Sequence, residues 1–400
     1  MAEQSPGSQA RRHILGLAGS ALLAMSLAGC QLVPKPRPDL PPEEYPEEVE
    51  QPRGEEPGTV LPPQETRNRV AVLVPTSGAN AGVGQSIANA ANLALLDAGG
   101  ERIRITVYDT ARGGAAAAAN QALADGNGLF LGPLLAEDVR AVAPVARRAD
   151  VPVIAFSNDS NVAGNGVYLM GFTPRQSIER VVGHARSVGL ERFGALAPVG
   201  IYGRRASDAM VGAVEDEGGR LVSMQSYDGG PAAVRTAVAR LYAQGDYDAV
   251  LIADGGRGAT AAAPILKGGS NARVRLLGTE LWAAETGLGR TAALRGAWYA
   301  SVGDSMFNQL RTRYRSRYGA APYRLASLGY DAVLLTVRIA KDWRLGRPFP
   351  ERELRDSTGF SGVDGPFRFT STGVAERSLE VREVTATGTI VVSPAPRGFD

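Results

Sequence analysis

The chain has 400 residues and a formal net charge of +2, from 43 basic and 41 acidic side chains. This near-balance offers no argument for nucleic-acid binding. One cysteine and two histidines exclude an intrachain disulfide, a CxxC redox pair, a cysteine zinc set and an HExxH metal site, so no metal and no cofactor is expected.

Residues 1–29 read as a targeting segment. Arg11 and Arg12 supply a positive start, and Ile14 to Leu27 form an apolar core. That core is shorter than the roughly 20 apolar residues a membrane-spanning helix needs. It ends in Leu27-Ala28-Gly29-Cys30, which resembles a lipobox, and lipid on Cys30 explains why the only thiol stands there. By similarity to such lipoproteins, Gln31 implies an outer-membrane location facing the periplasm. The Arg-Arg-His-Ile-Leu run leaves the export route open. Next, 30–67 is expected to be a lipidated stalk. Residues 31–66 hold ten prolines and the acids Glu43, Glu44, Glu47, Glu48 and Glu50, too little apolar surface to offset the entropy of ordering. At the polyproline rise it reaches on the order of 100 Å.

From Arg69 the chain alternates short β-rich runs with alanine-rich helical ones. Strands are predicted at Val70–Val74, Ile103–Tyr108, Leu129–Leu131 and Val151–Phe156, with helices at Ile87–Leu96, Ala115–Ala124 and Glu137–Arg148 between them. The cadence then restarts. Gly194–Pro198, Leu221–Ser226, Ala249–Ala253 and Arg273–Leu277 read as strands, separated by helices around Asp208–Asp216 and Ala233–Tyr242. Such alternation predicts an α/β fold of two doubly wound parallel-sheet lobes with a cleft between them. Leu294–Ser301, two helices (Phe307–Tyr318 and Leu325–Lys341) and an antiparallel tail with strands at Gly365–Phe369, Leu379–Val384 and Gly388–Val392 complete the chain.

The loop residues carry a resemblance. Arg69-Val70-Ala71-Val72-Leu73-Val74-Pro75-Thr76-Ser77-Gly78, Gly132-Pro133-Leu134 and Pro152-Val153-Ile154-Ala155-Phe156-Ser157-Asn158 resemble the strand ends of the leucine-binding type I periplasmic binding proteins. Ala197-Pro198 with Tyr202-Gly203, and Phe360 to Gly365, resemble the second lobe's first loop and the closing hairpin of that family. Gly166 to Thr173, with Pro174, Arg175, Glu179 and Arg180, is similar to the crossover of the lipoprotein activators of penicillin-binding proteins, although a proline stalk replaces the helical-repeat domain those activators carry. The resemblance implies a domain over 68–393, with lobe 1 from 68–172 and 294–345 and lobe 2 from 173–293 and 346–393. It also implies a non-catalytic regulator whose partner is a penicillin-binding protein, a peptidoglycan synthase. The alternative is a substrate-binding lipoprotein of an amino-acid ABC transporter.

Ligands of open parallel sheets meet the carboxyl ends of strands. Ser77, Leu134, Ser157, Asn158, Tyr202, Asp254 and Glu280 stand at such ends and are the candidate cleft residues. An amino-acid or peptidoglycan-derived ligand of this family would have its carboxylate held by Ser77 and Ser157 and its amine by Glu280. Capping of the following helices is the competing role for the same residue types. Gly82-Val83-Gly84-Gln85-Ser86 is no P-loop, because Gln85 replaces the lysine. His184 reads as a surface residue on a helix. Arg311, Arg313, Arg315 and Arg317 read as a solvated helix face or a patch for an acidic partner. With no nucleophile–base pair visible, no enzyme activity is expected.

Overall fold

Val70 to Val74 are all without solvent exposure, a continuous apolar run that only a sheet covered on both faces accommodates. The computed structural model describes residues 66–399. The targeting segment, Cys30 and nearly all of the stalk lie outside the described residues. The first lobe opens with β1 (Asn68–Val74), α1 (Ala81–Asp97), β2 (Ile103–Asp109), α2 (Ala115–Ala124), β3 (Phe130–Leu131), α3 (Ala136–Arg148), β4 (Val153–Ala155) and β5 (Val167–Leu169). Its five strands are parallel in the order β2-β1-β3-β4-β5. α3 complements its own dipole, with Glu137 and Asp138 in its first turn and Arg147 and Arg148 in its last.

The second lobe repeats the plan. α4 (Pro174–Ser187), with proline at its start, leads to β6 (Arg192–Pro198), α5 (Ile201–Asp216), β7 (Arg220–Tyr227), α6 (Pro231–Tyr242), β8 (Ala249–Ile252), α7 (Gly256–Leu266), β9 (Arg275–Gly278) and β10 (Trp298–Ser301). The chain then returns to the first lobe with α8 (Ser305–Tyr318), α9 (Ala326–Ile339) and a small antiparallel sheet of β11 (Phe360–Gly362), β12 (Gly365–Phe369) and β13 (Ala375–Arg377). Finally β14 (Glu380–Val384) and β15 (Thr389–Ser393) extend the second lobe's sheet, which runs β15-β14-β10-β9-β8-β6-β7. Both lobes therefore reverse strand direction of growth at their first strand, and the crevice beside that strand is where a ligand is expected.

Three crossings join the lobes, at 170–173, 302–304 and 378–379. The expected boundaries at 294 and 346 differ from this arrangement. β10 pairs with β9 and β14 in the second sheet, because its four residues are buried on both faces. Residues 349–375 instead pack into the first lobe's core, where Phe369 meets Tyr168, Phe367 packs against Phe369 and Phe360, and the buried α9 lies on α1. Phe172, at the first crossing, touches the cores of both lobes.

In each lobe the helix after the first strand begins with the same close approach. A Cβ on Gly84 of α1 would lie 1.9 Å from the Pro75 carbonyl oxygen, and one on Gly203 of α5 would lie 1.7 Å from that of Pro198. The glycine lets the helix start directly against the strand end, which fixes the neighbouring Tyr202. Gly203→Ala is therefore expected to destabilise the protein by about 1–3 kcal/mol through overpacking. Gly212→Ala on the same helix, whose Cβ would meet only Arg175 at 3.8 Å, should be neutral or stabilising. Urea unfolding of the pair checks this, and equal effects would mean that the backbone approach is not a constraint.

Candidate functional site

A cavity of about 410 Å³ lies between the lobes at the hinge, within the range of small-molecule sites. Its walls are mostly apolar: Val83, Leu134, Phe156 and Leu325 from the first lobe, Leu281 and Ala284 from the second, and Phe172 and Leu379 from the crossings. Asn80, Leu135 and Thr173, the residues preceding α1, α3 and α4, also line it. Three helix starts thus bring positive dipole ends towards one space.

The polar groups are few. Glu280 follows β9, where the chain leaves the sheet in a single 3₁₀ turn over Glu280–Ala284. Its Oε2 accepts from the Ser177 hydroxyl at 2.7 Å, and its own N–H donates back to that hydroxyl at 3.2 Å. The Tyr202 hydroxyl lies 2.9 Å from Glu280 Oε1 and 2.8 Å from Thr279 Oγ1. Having one proton, it donates to the carboxylate and accepts from the threonine. Burial pushes the Glu280 carboxyl above its usual range, and the hydrogen bonds from Ser177 and Tyr202 offset only part of this. Burial, with the Glu280 charge second, also drives the Tyr202 phenol far up, so it remains a donor. No cationic side chain is hydrogen-bonded to Glu280 among the described residues. Arg324 and Arg377 stand on the cavity wall from the first lobe, the second as the last residue of β13.

Of the seven expected cleft residues, Leu134, Asn158 and Glu280 reach this cavity, and Tyr202 stands behind Glu280. The other three turn to local partners. The Ser77 side chain bonds Asp109; burial works against that carboxylate's charge, yet the hydroxyl and the N–H groups of Ala111, Thr76 and Ser77 outweigh it and hold Asp109 down at about 2. Ser157 is buried and its Oγ accepts from the Asp159 N–H at 3.1 Å. Asp254 accepts from the Gly255 N–H, at the start of α7, and from the Tyr227 hydroxyl at 2.5 Å. Sequence reading missed Ser177, Gln176, Arg324 and Arg377. The first two sit one turn into a helix just past the quoted crossover, whereas the two arginines had no pattern to single them out.

Near the mouth, Asp159 of the first lobe receives Arg140 of its own lobe at 2.5 Å and Arg205 of α5 at 3.4 Å. This ion pair ties the two lobes with the cleft in its present geometry. His184 is not a free surface residue, since its ring lies 4.7 Å from that of Trp298. Of the arginine run on α8, Arg313 pairs with Asp97 at 3.0 Å. Among the described residues no cluster of metal-ligating side chains occurs and no helix is long and apolar enough to cross a membrane.

A family model for periplasmic binding proteins matches residues 68–389. A protein of Rickettsia prowazekii (strain Madrid E), described as uncharacterised, is 25% identical over 181 residues, 45% of this chain and 48% of that protein, so the match spans about half of that relative. Solved structures share the fold. An ABC transporter substrate-binding protein from Sphaerobacter thermophilus superposes with a TM-score of 0.70 at 19% identity, covering 83% of this chain and 98% of the other. A solute-binding protein of an ABC transporter from Rhodopseudomonas palustris BisB5, in complex with 3,4-dihydroxybenzoic acid, gives 0.64 at 19% identity, covering 84% and 98%. A leucine-binding protein from Thermotoga maritima MSB8 gives 0.62 at 18%, covering 82% and 98%.

Proposed function

Because the chain belongs to the periplasmic binding protein family and has its type I, leucine-binding-protein-like fold, we propose that it is a non-catalytic binder of small apolar amino acids. It serves, on this reading, as the substrate-binding lipoprotein of an ABC transporter. The observation that carries the reading is the apolar cavity with a single carboxylate, Glu280, held at one end without a cation. A ligand ammonium supplies the missing charge, and an apolar side chain fills the remaining volume. The similar structures described as transporter proteins point the same way.

The synthase-activator reading rests on the similarity of residues 166–180 alone, and no group in the cavity favours it, so the transporter alternative takes its place. The family is periplasmic; lipid on Cys30 and a stalk holding the lobes away from an outer membrane complete the proposal. Calorimetry of the purified protein with leucine, valine, phenylalanine, glutamate, benzoate and peptidoglycan fragments tests it. Micromolar binding of the apolar amino acids, with glutamate at least about tenfold weaker, is the expected result. Tight binding of benzoate with no response to leucine would replace the amino acid by an aromatic acid. Silence to all six would return the case to a partner protein.

A further inference from the structure

The two serines expected to hold a ligand carboxylate are engaged elsewhere, while two guanidiniums stand at the hinge end of the cavity. Arg377 is 6% exposed, donates from Nη2 to the Met170 carbonyl at 2.8 Å and lies 4.9 Å over the Phe172 ring. Its Nε and Nη1 are enclosed and find no hydrogen-bond partner among the described residues, and the same holds for Nε and Nη2 of Arg324 and both carboxylate oxygens of Asp364. Buried charged donors without acceptors are costly, so a small rotation that turns the Arg377 guanidinium towards an anion in the cavity is favoured. Arg324 donates from Nη1 to Ser327 and lies 4.2 Å over Phe307 and 5.7 Å over Phe172, the same cavity-wall ring.

Two carboxyls lie behind them. Asp364, in the turn between β11 and β12, is unexposed and 2.7 Å from Arg324 Nη2. Asp331 of α9 is 1% exposed and accepts the N–H groups of Val363 at 2.7 Å and Asp364 at 3.3 Å. The charged groups that face Asp331 are therefore Asp364, with Arg324 beyond it, and Arg377 from β13. Four ions balance only if both acids are ionised, and neighbouring buried carboxyls resist that. Burial, and after it the Asp364 charge, push Asp331 up to about 7. When Asp331 holds its proton, one positive charge at the hinge is left over.

We propose that Arg324 and Arg377 form the seat of the ligand carboxylate, and that its charge is balanced by a proton taken up from solvent on Asp331. This rests on the reading of the cavity as an acid-binding site. Glu280 of the second lobe holds the ammonium, and a proton given up there on binding has the opposite sign. The two ends therefore separate with 4-methylpentanoate, which is leucine without its amine, and leucinamide, which lacks the carboxylate.

The test is calorimetry of the purified protein from pH 6.5 to 8.5 in buffers of different ionisation enthalpy, with leucine and these two analogues. 4-Methylpentanoate should bind with net proton uptake, weakening by up to roughly tenfold per pH unit above 7.5 as one proton becomes limiting. Asp331→Asn, a near-isosteric change that removes an acid–acid conflict, should abolish the uptake and the pH dependence and bind about tenfold tighter at pH 8.5. Arg377→Met should weaken 4-methylpentanoate by at least about tenfold and leave leucinamide within about twofold. Should that variant fail to fold, proton counting with Asp331→Asn still decides. If leucine binds but 4-methylpentanoate binds with no proton uptake in either protein, the carboxylate seat is wrong and the cavity reading stands. If none of the three ligands binds, both are overturned.

Discussion

Glu280→Gln is expected to abolish amino-acid binding while giving the ligand-free protein an advantage in heat stability that grows as pH rises. The ligand ammonium loses its only charge partner in a dry site. Breaking a buried ion pair costs about 3–5 kcal/mol, which is a weakening of roughly 10²- to 10⁴-fold. The gain in stability follows from the direction of the pKa. Burial raises the folded value of Glu280 above its unfolded one. Such a group stabilises the fold below the unfolded pKa, and that contribution disappears as pH rises through the folded value. As pH rises, ionising this buried carboxylate costs the wild type stability, whereas glutamine cannot ionise and keeps partners for Ser177 and Tyr202. The difference in melting temperature between variant and wild type should therefore widen from pH 4.5 to pH 8. Unchanged leucine affinity, or a melting temperature lowered equally at both pH values, would show that Glu280 is a structural residue and not the amine site.

Trp282→Ala should produce the largest loss of stability of any single truncation near the site. Trp282 has no exposed surface, donates from Nε1 to the Asp254 carbonyl at 2.8 Å, and packs with its ring centroid 6.1 Å from that of Tyr299. Removing a buried tryptophan side chain costs about 3–5 kcal/mol, including the cavity left behind. The same residue pins the 3₁₀ turn that begins with Glu280, so ligand affinity should fall with stability. Gly278 approaches the indole so closely that a Cβ there would sit 2.2 Å from it, which leaves the pocket little room to collapse. Trp282→Phe should retain more than half of the lost stability but not the hydrogen bond to Asp254. Urea unfolding monitored by circular dichroism, with leucine titration of the folded fraction, measures both effects. A loss below about 1 kcal/mol would mean that the turn is held by something other than this ring.

Much of the architecture was legible because it is written in local periodicity. The all-apolar run Val70–Val74 reads as a buried parallel strand, and the glycine and proline punctuation after it marks the loop. The restart of the cadence near Gly194 marks a second lobe for the same reason. The ends of the strands locate the candidate loops, and Glu280 follows from that rule alone, since it stands directly after β9 and Thr279. Ser77 and Ser157 follow from it equally and yet turn away from the cavity. A short hydroxyl side chain reaches only its immediate surroundings: Ser77 meets the Asp109 carboxylate at the end of the neighbouring strand β2, and Ser157 an N–H two residues on.

What the chain decides by itself is therefore the set of strands and helices and the loops that follow them, because each depends on neighbours a few residues apart. Which lobe each late segment joins was decided by tertiary structure. β10 is claimed by the gap between β9 and β14, and the Phe360–Phe369 hairpin by the aromatic side chain of Tyr168. Arg324, Arg377 and Glu280 meet around one cavity although they come from the segment before α9, the end of β13 and the turn after β9. No periodicity encodes that meeting, since it arises only when three crossings bring two separately packed cores to a common hinge at Phe172.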